Sequence, residues 1–432
     1  MKKIKISSFP GKDNKNFKNI NKIRNKIINK TSATPINNEY IIDRVGKNLY
    51  PKIQRLVVKN IVEENKDIKT FYFANADAGT LAIFRPGQYI TLLLNIDGKF
   101  LSRPHSLSSS PNEAINGVYR ISVKRVEGGI ASNYMLDNVK IGDIIESLHP
   151  SGELYPSSIR DKKHIVALAS GIGISPFVSI AKAIHDKTLD KELTIFYSVN
   201  YINEFVYAKE LKELANKNNN IKVVFVSKEE NEDGIENGLI TVDLIKSYVT
   251  SKFTVFAAGY QDFYDYLKKE LTVLNLGDKD FRFESSPTLS KPIVISVPQA
   301  SVITIAEEKK TTKKSKSKKK EEEEEVEEVT EVTPEAIVLP KIYNIKVFHK
   351  EEEYNIPCFE NQTILSALEE KNIKARSKCR SGECGYCRSL LLWGNIRVDK
   401  DKEHRRSADI KYNYIHPCSS YPTSDITIKI DI

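Results

Sequence analysis

Beyond a basic tail, the chain first reads as short apolar runs broken by polar punctuation. Residues 56–65 (LVVKNIVEEN), 69–74 (KTFYFA), 88–95 (QYITLLLN) and 119–126 (YRISVKRV) are rich in β-branched and aromatic side chains. Gly, Pro, Asn and Asp separate them, the pattern of short strands. Several such strands within about a hundred residues predict a small closed barrel.

From residue 164 the rhythm changes. Apolar runs at 164–169, 193–198, 221–226, 253–259 and 281–284 alternate with helical spacing at 176–186, 204–217, 241–249 and 261–271. This alternation predicts βαβ units and a parallel sheet covered on both faces. A third unit starts near Lys341. Two strand-like runs (341–350 and 351–359) read as a hairpin. Ile364, Leu365 and Leu368 share one helical face, and short strands follow around 390–394 and 426–430. Between the second and third units, a Lys-rich block (309–320) meets a Glu-rich block (321–331). Neither block can bury apolar surface, so residues 307–335 read as a solvated linker. A flexible coil of that length spans roughly 30 Å.

Composition changes this picture only in its details. Of 432 residues, 40% are hydrophobic, enough for globular cores. The net charge of +9 sits in the first thirty residues, which hold ten Lys/Arg and one acid, Asp13; elsewhere the signs balance. A nucleic-acid-binding face is not indicated. Phe17, Ile20, Ile23 and Ile27 are spaced for a basic amphipathic helix that could touch an acidic partner or a membrane surface. No signal-peptide core and no long apolar run occurs, so a soluble, cytoplasmic protein is expected.

Four of the five cysteines are clustered. Cys379, Cys384 and Cys387 are spaced C-x4-C-x2-C, and Cys418 follows after thirty intervening residues. This is the plant-type [2Fe–2S] spacing. Three thiolates come from one tight loop, where Gly382 and Gly385 permit sharp turns, and the fourth closes the cage. A structural zinc site would favour paired C-x2-C units. Over nearly all of residues 341–432 the loop and its flanking strands resemble a plant-type ferredoxin domain. Cys358 stands apart and reads as a packed strand residue.

Three further motifs precede this domain. Arg103-Pro104-His105-Ser106-Leu107-Ser108 resembles the Arg-x-Tyr-Ser motif of the ferredoxin–NADP reductase family. The resemblance implies that the Arg pairs with a flavin phosphate, the ring of His105 (Tyr in the family) packs on the isoalloxazine, and Ser106 bonds near its reactive nitrogen. Gly128-Gly129-Ile130-Ala131-Ser132 resembles the family's second flavin motif, a glycine turn entering a helix whose N–H groups favour a pyrophosphate; Ser132 is expected to cap that helix. The pyrophosphate motif favours FAD over FMN. Gly171-x-Gly173-x-Ser175-Pro176 follows a buried strand as a phosphate-cradling turn, with Ser175 as N-cap and Pro176 at the first helical position. It matches the family's nicotinamide motif. Ala258-Gly259 stands where the family carries Cys-Gly, and Glu284 where it ends the sheet with an acid near the flavin.

The resemblance therefore implies a multidomain oxidoreductase. Its parts are a basic extension (1–48), an all-β flavin-binding barrel (49–158), an α/β parallel-sheet nucleotide-binding domain (159–290), a linker (291–340) and an α+β ferredoxin-like β-grasp domain (341–432). The expected cofactors are FAD, NADH or NADPH, and a [2Fe–2S] cluster on Cys379, Cys384, Cys387 and Cys418. His105, Ser106 and Glu284 are the expected catalytic residues. Arg103 through Ser108, Gly128 through Ser132, Gly171, Gly173, Ser175, Pro176, Ala258 and Gly259 are the expected cofactor contacts. The segment after the second strand of the nucleotide domain offers Ser198 and Asn200 but no Arg, which favours NADH. Electrons would leave for an external redox protein, with the linker letting the ferredoxin domain shuttle. The same parts also suit flow in reverse, or a relay subunit that does not itself oxidise NAD(P)H.

Overall fold

The computed structural model describes residues 19–30, 42, 45–46, 49–77, 79–277, 279–285 and 340–430. The chain divides into two compact units, Met1–Asn48 and Leu49–Ile432. In the first, α1 (Ile20–Ile28) forms as the spacing predicts, with Ile20, Ile23, Ile27 and Ile28 all exposed. Phe17 and the expected linker at 307–335 lie outside the described residues. Among the described residues no helix is long and apolar enough to cross a membrane.

The second unit holds three principal sheets. Strands β1 (Ile53–Asn65), β2 (Ile68–Asn75), β3 (Tyr89–Ile96), β4 (Lys99–Ser106), β5 (Tyr119–Lys124) and β6 (Ile144–Ser151) pair antiparallel in the order β4-β3-β6-β1-β2-β5. The backbone N–H of Ser108 donates to the carbonyl of Arg120 at 2.8 Å, joining the two end strands and closing the barrel. Leu56, Val58, Phe71, Phe73, Leu92 and Ile121 fill its interior. The four strands expected from the sequence are present. Two more, β4 and β6, were not anticipated. Pro104 disguises β4, because proline cannot donate to a ladder and is tolerated only at such an outer strand.

The second sheet contains β7 (His164–Ser170), β8 (Glu192–Val199), β9 (Ile221–Ser227), β10 (Glu236–Asn237), β11 (Phe253–Gly259) and β12 (Phe281–Ser285). All pair parallel in the order β10-β9-β8-β7-β11-β12. The order reverses between β7 and β11, so the loops leaving these strands flank a crevice at the carboxyl edge, where such sheets bind ligands. Apart from one short turn of helix at Pro111–Ile115, the helices in chain order are α2 (Ile130–Asp137, beside the barrel), α3 (Ser175–His185), α4 (Ala208–Lys217), α5 (Val242–Tyr248) and α6 (Gln261–Glu270).

The helix expected over 204–217 starts only at Ala208. Tyr207 adopts a left-handed backbone (φ 63°). Its hydroxyl enters the barrel wall, bonding the hydroxyls of Ser108 at 2.9 Å and of Ser122. Tertiary bonding here overrides helical propensity.

The same seam carries charge. Buried Arg120 forks onto Glu210, Nη1 to Oε1 at 3.2 Å and Nη2 to Oε2 at 2.9 Å. Lys182 bonds Glu113 at 2.8 Å and Glu210 at 2.9 Å. An Arg120→Met variant should lose about 3 kcal/mol of stability, since removing one partner strands the rest of a desolvated network. The thermal midpoint of the cofactor-loaded protein checks this; an unchanged midpoint would contradict it.

The third sheet is the ferredoxin-like unit. It comprises β13 (Ile342–His349), β14 (Glu352–Phe359), β15 (Ser389–Trp393), β17 (Tyr414–Ile415) and β19 (Ile426–Ile430), ordered β14-β13-β19-β15-β17. Strands β16 (Ile396–Val398) and β18 (Ser420–Pro422) form a separate pair. Helix α7 (Ile364–Glu370) buries Ile364, Leu365 and Leu368 as its spacing predicts. Cys358 is fully buried in β14, and burial pushes its thiol up to about 12.

This unit is docked on the barrel. The hydroxyl of Thr91 donates to the carbonyl of Lys378 at 3.3 Å, Ser102 bonds Ser377, and Lys378 donates to Nε2 of His149 at 3.2 Å. Cover from this side accounts for the near-continuous burial of β3, where a barrel strand facing water would alternate.

Candidate active site and cluster loop

The three sheets converge on one cavity of ≈ 1130 Å³. The barrel contributes Arg103, Pro104, His105 and Ser106 from the end of β4, and Gly128 through Ser132 from the turn into α2. The nucleotide domain contributes Gly171, Gly173 and Ser175 after β7, Ala258 and Gly259 at the end of β11, and Glu284 on β12. The ferredoxin-like domain adds Cys379, Ser381 and Glu383. Residues far apart in the sequence thus share one chamber.

Three expected contacts stand behind its wall. Leu107 belongs to the barrel core. The Ser108 hydroxyl bonds Arg120 and Tyr207 in the interdomain seam. Pro176 is packed within α3. The alternation of side chains after β4 turns Leu107 inward, and the bulk of α3 is buried on every side.

Two caps also differ from expectation. The N-cap of α2 is Gly129, with no side-chain capping bond. Ser132 lies inside the first turn and staples the loop, accepting from the N–H of Val126 at 3.2 Å and donating to the carbonyl of Gly129 at 3.3 Å. A Cβ on Gly129 would meet the Ser132 Oγ at 2.6 Å and the Val126 Cβ at 2.8 Å. The uncapped first-turn N–H groups are left for an anion. Likewise Ser175 is the first residue of α3, Ile174 its N-cap, and Ser175 Oγ donates to the carbonyl of Ile172 at 3.1 Å. A tight 3₁₀ turn over Gly171–Ile174 runs straight into the helix, which therefore starts one residue earlier than expected.

The closest packing in the cleft is between the two glycine loops. A Cβ on Gly173 would sit 2.3 Å from the carbonyl oxygen of Ala258 and 2.9 Å from the amide nitrogen of Gly259. One loop rests on the backbone of the other, so only glycine fits.

Two of the three expected catalytic residues, Ser106 and Glu284, meet across the domain boundary, and His105 lines the same chamber. Ser106 Oγ donates to Glu284 Oε1 at 3.2 Å. Burial, and then the nearby Glu383 carboxylate, push Glu284 up to about 8, so it keeps a proton at neutral pH. Burial, aided by Arg103, pulls His105 down to about 4, so its ring is neutral.

The sequence reading overlooked Tyr89, Tyr260 and Lys228, which also line the chamber. Tyr89 had a readable signal. Gly152, at φ 117°, leaves room for its ring, and a Cβ there would come within 2.9 Å of Tyr89 Cδ1. Tyr260 and Lys228 sit one residue past strand ends, with no pattern to mark them.

The cysteine loop binds its own sulfurs. The N–H of Cys384 donates to Cys379 Sγ and that of Tyr386 to Cys384 Sγ, each at 3.4 Å. The sulfurs of Cys387 and Cys418 lie 3.4 Å apart. Hydrogen bonds from Cys384 and Cys418 hold the Cys379 thiol far below its ordinary value. Gly382, at φ 87°, has no space for a Cβ, which would meet Ser419 Oγ at 2.5 Å. His416 Nδ1 donates to the Gly382 carbonyl at 2.6 Å, tying the Cys418 segment to the loop. Four unpaired thiols linked by pairwise contacts, Cys384 and Cys418 to Cys379 and Cys418 to Cys387, with backbone N–H groups aimed at the sulfurs, suit the donor set of an iron–sulfur cluster. No three His, Cys, Asp or Glu side chains among the described residues meet around one metal ion.

The chain joins an oxidoreductase FAD-binding domain and an oxidoreductase NAD-binding domain to a C-terminal 2Fe-2S domain, an architecture similar to that of ferredoxin–NADP reductase-like flavoproteins fused to a ferredoxin. Residues 55–155 match the oxidoreductase FAD-binding domain, 167–269 the oxidoreductase NAD-binding domain, and 347–423 the 2Fe-2S iron–sulfur cluster binding domain. The chain is 24% identical to the glycine betaine monooxygenase reductase subunit of Pseudomonas aeruginosa over 85% of its own length and 93% of that protein's. It is 25% identical to the ferredoxin reductase component of 3-ketosteroid-9-alpha-monooxygenase from Rhodococcus rhodochrous, over 86% and 94%. Phthalate dioxygenase reductase has the same fold: TM-score 0.56 and 21% identity, covering 88% of this chain and 98% of that one. The protein is thus an electron-transfer reductase that uses NAD(P)H, FAD and a [2Fe–2S] cluster.

Proposed function

We propose that this reductase takes electrons from NADH and delivers them, through its own cluster domain, to the terminal component of a multicomponent oxygenase in the cytoplasm. The acceptor class is supported by the relatives named above, which serve monooxygenases and match almost end to end. The observation that carries the internal route is the shared chamber: Cys379 and Ser381 of the cluster loop line the same cavity as Ser106 and Glu284.

When bound, a nicotinamide supplies a hydride, a flavin accepts electrons in pairs and releases them singly, and a [2Fe–2S] cluster accepts them one at a time. The residues supply placement and charge. Arg103 would pair with a flavin phosphate, and the neutral ring of His105 would offer a flat surface for stacking. Ser106 and protonated Glu284, joined by a hydrogen bond, would lie against the flavin. Gly128 through Ser132 would receive the pyrophosphate. Gly171, Gly173, Ser175, Ala258 and Gly259 would receive the dinucleotide. Cys379, Cys384, Cys387 and Cys418 would hold the irons.

The choice of NADH rests on the end of β8. Glu204 Oε2 accepts from the N–H groups of Asn200 (3.0 Å) and Tyr201 (3.3 Å), setting a carboxylate at the strand's tip. Lys228 in the chamber is already paired with Glu229 at 3.1 Å. A 2′-phosphate would meet like charge there. Purified protein should release FAD, contain iron and sulfide, and show kcat/KM for NADH about tenfold or more above that for NADPH. Released FMN, or a preference for NADPH, would contradict the corresponding part.

A further inference from the structure

Glu369 lies in the last turn of α7, the helix of the cluster domain that packs against β4 of the barrel. Its side chain is only 9% exposed and lies between two guanidinium groups. Arg380, in the cluster loop, forks onto it: Nη1 to Oε1 at 2.5 Å and Nη2 to Oε2 at 3.0 Å. Arg103, on β4, reaches the same two oxygens at 3.5 and 3.4 Å. The two arginines also converge on one barrel carbonyl, that of Ser102, at 2.8 Å from Arg103 and 3.4 Å from Arg380.

Two cations and one anion leave this buried triad with a net positive charge. Burial, and then the neighbouring Arg380, pull Arg103 down to about 10. Without the carboxylate, two guanidinium groups would face each other across the seam with little water to screen them. Arg103 also lines the chamber.

We propose that Glu369 is a positioning residue that docks the cluster domain on the flavin barrel by pairing with Arg103 and by neutralising Arg103 and Arg380 where the two cations meet at the seam, so that one arginine serves both the flavin phosphate and the cluster domain. The inference rests on the flavin and cluster assignments above. Because Glu369 is an anion beside a phosphate site, it contributes to docking and not to flavin retention.

The test uses the full chain loaded with both cofactors. Rapid mixing with NADH separates flavin bleaching from cluster reduction. In Glu369→Gln, cluster reduction should slow by about tenfold or more, while flavin bleaching and the cluster's spin-resonance spectrum stay as in the wild type and flavin binds no more weakly. Arg380→Gln removes a cation and keeps the Glu369–Arg103 pair, so it should stay near wild type. Combined with Glu369→Gln, it should relieve the repulsion and restore much of the lost rate, which a role in folding alone would not produce. Wild-type cluster reduction in Glu369→Gln overturns the inference, as does loss of flavin in that variant or a double variant no faster than the single. Protein that takes up no flavin or no cluster refutes the functional assignment instead.

Discussion

Replacing Cys384 with serine should abolish the cluster's visible and spin-resonance signals while NADH still bleaches the flavin at close to the wild-type rate. Reduction of a protein acceptor that draws on the cluster should fall by at least about a hundredfold, as expected when a ligand of the relay itself is lost. Reduction of ferricyanide, which can take electrons from the flavin, should persist. The choice of cysteine matters. Cys379, Cys387 and Cys418 are buried at 5–7% exposure, so their replacement also disturbs packing. Cys384 is exposed, and serine there removes one thiolate with little cost to the core. A hydroxyl does not ionise near neutral pH and is a poor partner for iron. An intact cluster signal in this variant would remove Cys384 from the ligand set.

Gly173→Ala should act at the other end of the route. The added methyl would lie 2.3 Å from the Ala258 carbonyl oxygen and 2.6 Å from its carbon. Both are backbone atoms at the end of β11, held in the ladder with β7 and β12, so neither can move without moving the sheet edge. The loops after β7 and β11 must part, and the dinucleotide seat widens. Misplacement by about 1 Å costs on the order of a hundredfold in rate, so kcat/KM for NADH should fall by at least about that factor. Dithionite should still reduce flavin and cluster, since their sites are not touched. Wild-type kinetics would mean the dinucleotide binds elsewhere.

Much of this arrangement was legible in the sequence, for physical reasons. Buried parallel strands are apolar throughout, so β7, β8, β9 and β11 announced themselves. The cluster loop was readable because iron demands thiolates at fixed intervals and sharp turns demand glycine. The missed strands carry mixed signals: β4 contains Pro104 and a charged motif, and β6 alternates Ile, Glu, Ser and His. The late start of α4 could not be read locally, because it depends on hydroxyls of Ser108 and Ser122 about ninety residues away in sequence. The cap at Ser132 was misread for a related reason: the hydroxyl staples the glycine loop from within the helix.

The interdomain contacts were the least visible. Arg103 was expected at the flavin phosphate alone, yet it also meets Glu369 of the cluster domain. Nothing in either segment marks the other as its partner. The sequence suggested a tethered domain that visits the flavin. In the structure, the cluster loop already forms one wall of the chamber through Cys379, Ser381 and Glu383.

The most direct measurement is an anaerobic titration of the cofactor-loaded protein with NADH, following visible absorbance and spin resonance together. The flavin band should bleach, and a [2Fe–2S] signal should rise in step with it, with no other protein present. A flavin that bleaches while the cluster stays oxidised, or a protein that responds to NADH in neither signal, would contradict electron transfer from nicotinamide to iron within this one chain.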